Sequence, residues 1–263
     1  MCTILILQRV HPDHPLVLAT NRDEFYARPT SGPERILESP VTVGGRDLKA
    51  GGTWMGVTAG GLFVGVTNQR TATPPPQDKR SRGELVMNAL EANDVGAIRA
   101  ELSELDGREY NSFNLLFGTA QSGLFAAYGR VDRADIEVEP VPDGVHVLPN
   151  DRLDSAQFPK VERARELLLP AAEASWAQTR HALKVALADR QLAPPESLPP
   201  IPDHAPYPPS FFRELSALCV RTPVYGTRSS TVIALGPGSV AEYWYADGPP
   251  DETAFEDVTP LLG

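Results

Sequence analysis

Short runs of apolar residues, separated by turn signals, dominate the pattern of the chain. Residues 2–9 and 15–20 are two β-rich runs, and His11-Pro12-Asp13-His14 between them marks a tight turn. A polar stretch carrying Gly44-Gly45 and Gly51-Gly52 reads as a loop. Residues 53–58 and 62–67 then form a second hairpin pattern around Gly60-Gly61. Pro74 to Pro76 make a stiff surface segment. Two helices follow. Ser81 caps the first, with Glu84 as its capping-box partner, and Val95, Ile98, Leu102 and Leu105 fall at helical spacing in the second.

Residues 112–118, 123–128, 136–141 and 144–149 read as strands, and 159–189 as two helices broken near Pro170. The apolar stripe of that helical pair is Val161, Ala164, Leu167 and Leu168. Eight prolines in the sixteen positions 194–209 rule out a helix there and predict a linker or wrapping loop. A short helix is expected from about Ser210 to Leu218, and strands at 229–235 and 239–245. Strands grouped with strands and helices with helices predict a layered α+β fold, a single domain over 1–263, rather than alternating βαβ units.

Composition narrows the function. The chain has 263 residues, 41% hydrophobic and 22% charged, which supports a well-buried core and excludes general disorder. A formal net charge of -10 argues against non-specific binding of nucleic acid or anionic membrane. The apolar run Ile4–Leu7 is too short for an integral membrane segment or a signal-peptide core, so the cytoplasm is the expected compartment. The basic cluster Lys79, Arg80 and Arg82 reads as a solvated loop entering a helix. Cys2 and Cys219 make neither a disulfide framework nor a zinc site, and Cys219 reads as a small core residue.

Familiar catalytic motifs are missing from the sequence. It holds no P-loop, no GxGxxG opening a helix, no GxSxG elbow and no HExxH. His11 and His14 lack a third ligand nearby and are expected in a solvent-exposed turn, so no metal site is predicted.

The remaining constellation centres on Cys2. Removal of Met1 would leave a cysteine whose own α-amine, titrating near ~7.7–8.0, sits beside a thiol titrating near ~8.5. Nucleophile and base would then share one residue. The plainer alternative is a small residue starting an edge strand. Asn21-Arg22-Asp23-Glu24 follows the second run and reads as a solvated turn by itself. If the first two runs pair, however, this stretch lies beside Cys2, where an Arg would lower a thiol pKa and a carboxylate would orient the amine. Asn68 and Asn150 end strands, either as turn residues or as amides aimed at an oxyanion. Arg228 opens a late strand.

Met1-Cys2-Thr3, LATNRDEFYARPT, GGTWMGVT, GLFVGVTNQR, YNSFNLLFG, HVLPN and YGTRSSTVIALG, in this order, resemble the NRDE family, also called the transport-and-Golgi-organization (TANGO2-like) family. The resemblance spans residues 1 to about 236. It implies an amino-terminal-nucleophile hydrolase-like fold, a four-layer αββα sandwich. Bile-salt hydrolases and penicillin V acylases are its nearest chemical analogues, and they hydrolyse linear amides. The resemblance implies Cys2 as nucleophile and base, Asn68 and Asn150 near the oxyanion or amine, and Arg228 near the nucleophile. Those analogues carry R-N-x-D where this chain has N-R-D-E. Residue type then favours Arg22 and Asp23, whereas spacing favours Glu24; Asn21 is a further possibility.

Two functions of different class follow. One is an N-terminal-cysteine hydrolase of a small-molecule amide or acyl conjugate, which requires no cofactor. Family members are also associated with Golgi organisation, lipid metabolism and haem trafficking, so the other is a non-catalytic haem or lipid/acyl carrier. His146, near the Asn150 strand end, is then the axial ligand to test. A third reading, an interaction protein, rests only on the proline-rich segment.

Overall fold

The computed structural model describes residues 2–71, 76–201 and 207–263. Its strands are β1 (Cys2–Gln8), β2 (Leu16–Phe25), β3 (Thr30–Glu38), β4 (Val41–Asp47), β5 (Met55–Thr58), β6 (Phe63–Asn68), β7 (Phe113–Thr119), β8 (Gly123–Gly129), β9 (Glu137–Pro140), β10 (Gly144–Leu148), β11 (Tyr225–Gly236), β12 (Ser239–Ala246) and β13 (Glu256–Asp257). Its helices are α1 (Arg82–Ala92), α2 (Val95–Glu104), α3 (Pro159–Leu168), α4 (Trp176–Leu187) and α5 (Pro209–Glu214).

The strands form two antiparallel sheets. One has the order β10-β1-β2-β11-β12-β13 and the other β3-β4-β5-β6-β7-β8-β9. Alternation along each strand decides what the sheets cover, because successive side chains point to opposite faces. Ile4, Ile6, Leu16 and Leu18 of the first sheet meet Val43, Met55, Val57, Phe63 and Leu116 of the second in a buried layer. The other parity of the first sheet, Leu5, Leu7, Val17 and Ala19, packs on Val161, Ala164 and Leu168 of α3 and Leu183 and Leu187 of α4. The outer face of the second sheet, with Val64, Leu115 and Phe117, packs on Leu85, Val86 and Leu90 of α1 and Ile98 and Leu102 of α2. The result is a helix–sheet–sheet–helix sandwich.

Most expected elements are present, with instructive differences. The polar stretch with Gly44-Gly45 is not a loop but the hairpin β3–β4. β3 is an edge strand in which only Ile36 is buried, so it shows almost no hydrophobic alternation. The NRDE stretch is not a turn after β2 but its last part, because β1 and β11 pair with it on both sides. β11 starts at Tyr225, which puts Arg228 inside the strand at a break in register between Thr227 and Ser229. Ser81 does cap α1, accepting from the Gly83 N–H at 3.2 Å, but Glu84 turns to Arg80 instead of completing a capping box. α5 stops at Glu214, short of Leu218. Pro74, Pro75 and residues 202–206 of the proline-rich segments lie outside the described residues. His11 is not solvent-exposed: it is buried, and its Nδ1 accepts from the backbone N–H groups of Asp13 and His14 at 3.2 and 3.1 Å.

Candidate active site

Cys2 stands directly opposite Arg22 across the β1–β2 pair, and Thr3 opposite Asn21. Cys2 shares the parity of Ile4 and Ile6, so its side chain and that of Arg22 face the space between the sheets. Asn21 and Asp23 have the other parity and face the helical layer. The pleat therefore divides the NRDE stretch between two faces of one sheet.

The sulfur of Cys2 is pushed to higher pKa by burial, and the neighbouring Asp23 carboxyl pushes the same way. The Arg22 guanidinium and the Asp23 backbone N–H, which points at the sulfur, oppose them. The net direction is upward, which favours the thiol over the thiolate. Arg22 is only 5% exposed and its own pKa is lowered by burial. Its guanidinium lies over the Trp54 ring, 4.1 Å from the centroid, and its Nη1 has no hydrogen-bond partner among the described residues. Gly45 makes room for that ring: a Cβ there would come within 2.3 Å of Trp54 Cη2. Gly45 of β4 and Trp54 of the GGTW block thus act together to hold Arg22.

Asp23 is buried on the opposite face. Its Oδ1 accepts from the Thr227 hydroxyl at 2.7 Å, and the Tyr225 hydroxyl donates to its backbone carbonyl at 2.8 Å. Burial raises the carboxyl pKa, and Lys160 is the strongest charge acting against that. Lys160, on α3, is itself only 4% exposed; its Nζ lies 3.4 Å from Thr3 Oγ1. Burial lowers its pKa, while Asp23 and then Cys2 support its charge. A buried lysine beside the strand that Cys2 heads carries no motif and stands 158 positions after Cys2 in the sequence. Only its place in an otherwise apolar helix stripe could have betrayed it.

Asn68 and Asn150 meet at two strand ends. Asn150 Nδ2 donates to the Asn68 carbonyl at 2.9 Å, and extrapolating the β1–β10 register sets Asn150 opposite Cys2. Arg228 is drawn to the end of β2, with Nη1 donating to the carbonyls of Phe25 and Tyr26, and its charge acts on Arg22. Asn21 is fully engaged in structure: Nδ2 donates to the carbonyls of Leu187 and Leu218, both at 2.8 Å, and Oδ1 accepts from the Ser230 hydroxyl at 2.5 Å. Glu24 Oε1 accepts from the Phe25 N–H, and its Oε2 lies 3.9 Å from Arg28. Of the two acidic residues, Asp23 is the one whose charge and backbone N–H act on Cys2. Thr227, Tyr225, Trp54 and Lys160 complete the surroundings and were given no site role by sequence, while Arg82, expected in a solvated loop, lies in α1 with the charges of Cys2 and Glu24 acting on it.

A family profile, Transport and Golgi organisation 2, matches residues 1–243. The chain belongs to this family. Its relatives include the mouse Transport and Golgi organization 2 homolog, 31% identical over 227 residues, covering 83% of this chain and 81% of the relative. The human homolog is likewise 31% identical, over 229 residues with the same coverage. Among solved structures, a mutant conjugated bile acid hydrolase from Clostridium perfringens superposes with a TM-score of 0.58 at 11% identity, over 100% of this chain and 94% of the other. A Caenorhabditis elegans ortholog of N-acylethanolamine-hydrolyzing acid amidase gives 0.55 at 13% identity, over 90% and 93%. The family member described here therefore has the amino-terminal-nucleophile hydrolase fold.

Other titratable groups of this family member lie elsewhere. Cys219 is buried, donates to Asp251 Oδ1 at 3.3 Å and is pushed up to about 12, first by burial and then by Asp251. His146 Nδ1 contacts Asp154 Oδ2 at 2.6 Å, while its Nε2 is buried. No group of three or more His, Cys, Asp or Glu able to hold a metal occurs among the described residues, and no described helix is long and apolar enough to cross a membrane.

Proposed function

We propose that this protein is a cysteine amidohydrolase that cleaves a linear amide or acyl conjugate of a small molecule, with Cys2 as its amino-terminal nucleophile. The observation that carries the reading is the placement of Cys2: it heads β1, faces the inter-sheet space and stands opposite Arg22, with the Asp23 N–H on its sulfur. Of the proteins that share the fold, one is by its name a hydrolase of conjugated bile acids and the other an amidase that hydrolyses N-acylethanolamines.

In this reading, Met1 removal frees the α-amine of Cys2. The amine takes the thiol proton as sulfur attacks the carbonyl carbon, and the carbonyl π pair moves onto oxygen. The amides at the Asn68 and Asn150 strand ends stabilise that oxyanion. Collapse breaks the C–N bond, and the α-ammonium protonates the departing amine. Water, giving its proton to the α-amine, then releases the acid from the thioester. Asp23, whose negative charge Lys160 and the Thr227 hydroxyl favour against burial, orients the α-ammonium. The hydrolase reading is preferred to the haem-carrier one because the His146 Nε2 offered as the axial ligand is buried, with Gly144 beside it, and its Nδ1 contacts Asp154.

The test is hydrolysis of a panel of N-acyl amides by the processed protein and by Cys2→Ala. The expected result is turnover by the parent, none by the variant, and an acyl adduct on the N-terminal peptide of the acid-quenched parent. Equal turnover by both proteins would refute the reading.

A further inference from the structure

The charges around the Cys2 mouth do not balance. Arg80 of the basic cluster behaves as expected, exposed and paired with Glu84 and Glu109. Arg82 does not: it turns inward, and its charge acts on Cys2, Glu24 and Arg28. Its place follows from close packing. The Gly83 backbone abuts Gly52 and Thr53, so that a Cβ on Gly52 would lie 2.7 Å from the Gly83 carbonyl carbon. The same turn leads into Trp54, which covers Arg22. Arg82 Nη1 donates to the Ser112 carbonyl at 3.3 Å, an oxygen that also accepts from the Gln69 N–H next to Asn68. Arg82 thus approaches from the Asn68 side, and Arg22 from the opposite strand.

The charge of Glu24 acts on Arg22 and Arg82 and that of Asp47 on Arg22, but neither carboxylate comes within ion-pair distance of them. Arg28 is neutralised by Asp47, at 2.6 Å, with Glu24 further off. Arg22, Arg82 and Arg228 form no ion pair among the described residues, and Arg22 keeps a buried Nη1 without a hydrogen-bond partner. Burying an unanswered guanidinium is costly unless something fills the place of the missing anion. In a chain of net charge -10, Arg22 and Arg82 beside Cys2, with the partly exposed Arg228 acting on Arg22 while its Nη1 is held by the Phe25 and Tyr26 carbonyls, form a local field opposite to that of the whole molecule.

We propose that Arg82 and Arg22, supported by Arg228, form a subsite for an oxyanion group, a carboxylate or phosphate, on the molecule presented to Cys2. The inference deepens the hydrolase reading by naming its substrate class, and rests on Cys2 being the reacting residue. Its test needs neither turnover nor Met1 removal.

The probes are iodoacetate and iodoacetamide, which alkylate the same thiol and differ in charge. Their rates at Cys2 are read by peptide mass mapping in the full-length protein and in an unfolded peptide beginning Cys2-Thr3. The expected iodoacetate-to-iodoacetamide ratio is about tenfold higher in the protein than in the peptide, and falls as salt is added. Arg82→Gln should bring the ratio towards the peptide value, and Arg82→Lys should retain most of it. Protection of Cys2 from iodoacetamide by millimolar inorganic phosphate rather than acetate assigns a phosphate group, and the reverse a carboxylate. A parent ratio equal to that of the peptide, a ratio unmoved in folded Arg82→Gln, or protection by neither anion overturns the proposal. Should Arg82→Gln not fold, the parent ratio and its salt dependence still decide. Loss of hydrolysis in the N-acyl amide panel would leave this result untouched, so the two readings fail separately.

Discussion

Cys2 and Arg22 are cross-strand partners on the inner face of one sheet, while Asp23, the next residue, lies on the outer face with Lys160. The thiol is therefore served from two sides. Arg22 shares its face, and Asp23 reaches it only around the strand end.

Arg22→Met should separate reactivity from stability. Removing the cation raises the thiol pKa, and each unit lowers the thiolate fraction near neutral pH about tenfold. Iodoacetamide alkylation of Cys2 should slow accordingly. The melting temperature should hold or rise, since a buried guanidinium with an unpartnered nitrogen is replaced by an apolar chain of similar length. A rate unchanged from the parent would remove Arg22 from this role.

Lys160→Met should destabilise the fold by roughly 2–4 kcal/mol at neutral pH, because Asp23 is left buried without its strongest opposing charge. The sign with pH follows from the raised Asp23 pKa. A carboxyl whose folded pKa lies above its unfolded value weakens folding as pH rises through that interval. Losing Lys160 raises the folded value further, so the variant's deficit should shrink on acidification. Adding Asp23→Asn should recover much of the loss at neutral pH. Denaturant melts of the two singles and the double, over a pH series, measure this.

Asn21→Ala tests a residue of the motif that is structural. Two backbone carbonyls and the Ser230 hydroxyl lose their partner, a loss of about 2–4 kcal/mol. Below its melting point the variant should keep the parent's Cys2 alkylation rate. A slowed rate with unchanged stability would reverse this assignment.

Cys219 should resist alkylation in the folded protein near neutral pH, because its thiol is held up to about 12. Peptide mapping should find label on Cys2 alone until the protein unfolds. Equal labelling of both cysteines in the native state would contradict the packing around Asp251.

Much of this architecture was legible in local pattern. The runs at 2–9 and 15–20 carry the alternation that puts Ile4, Ile6, Leu16 and Leu18 between the sheets, and the stripe at Val161 and Ala164 marks the helix that covers the opposite face, on Leu5, Leu7, Val17 and Ala19. What escaped was structure made by distant partners. β3 is too polar to announce itself, and NRDE reads as a turn because the strands that enclose it are two separate pieces of chain. The same reason hid the site's supporting residues. Lys160, Thr227 and Arg82 look like ordinary helix and strand residues until the sandwich brings them to Cys2.

The central claim is that Cys2 becomes the amino-terminal residue and supplies its own base. The mass of the N-terminal peptide, from protein made in its native host, tests it most directly. The account predicts a peptide beginning at Cys2. A peptide still beginning at Met1 would contradict it, because the acylated nitrogen could no longer take the thiol proton.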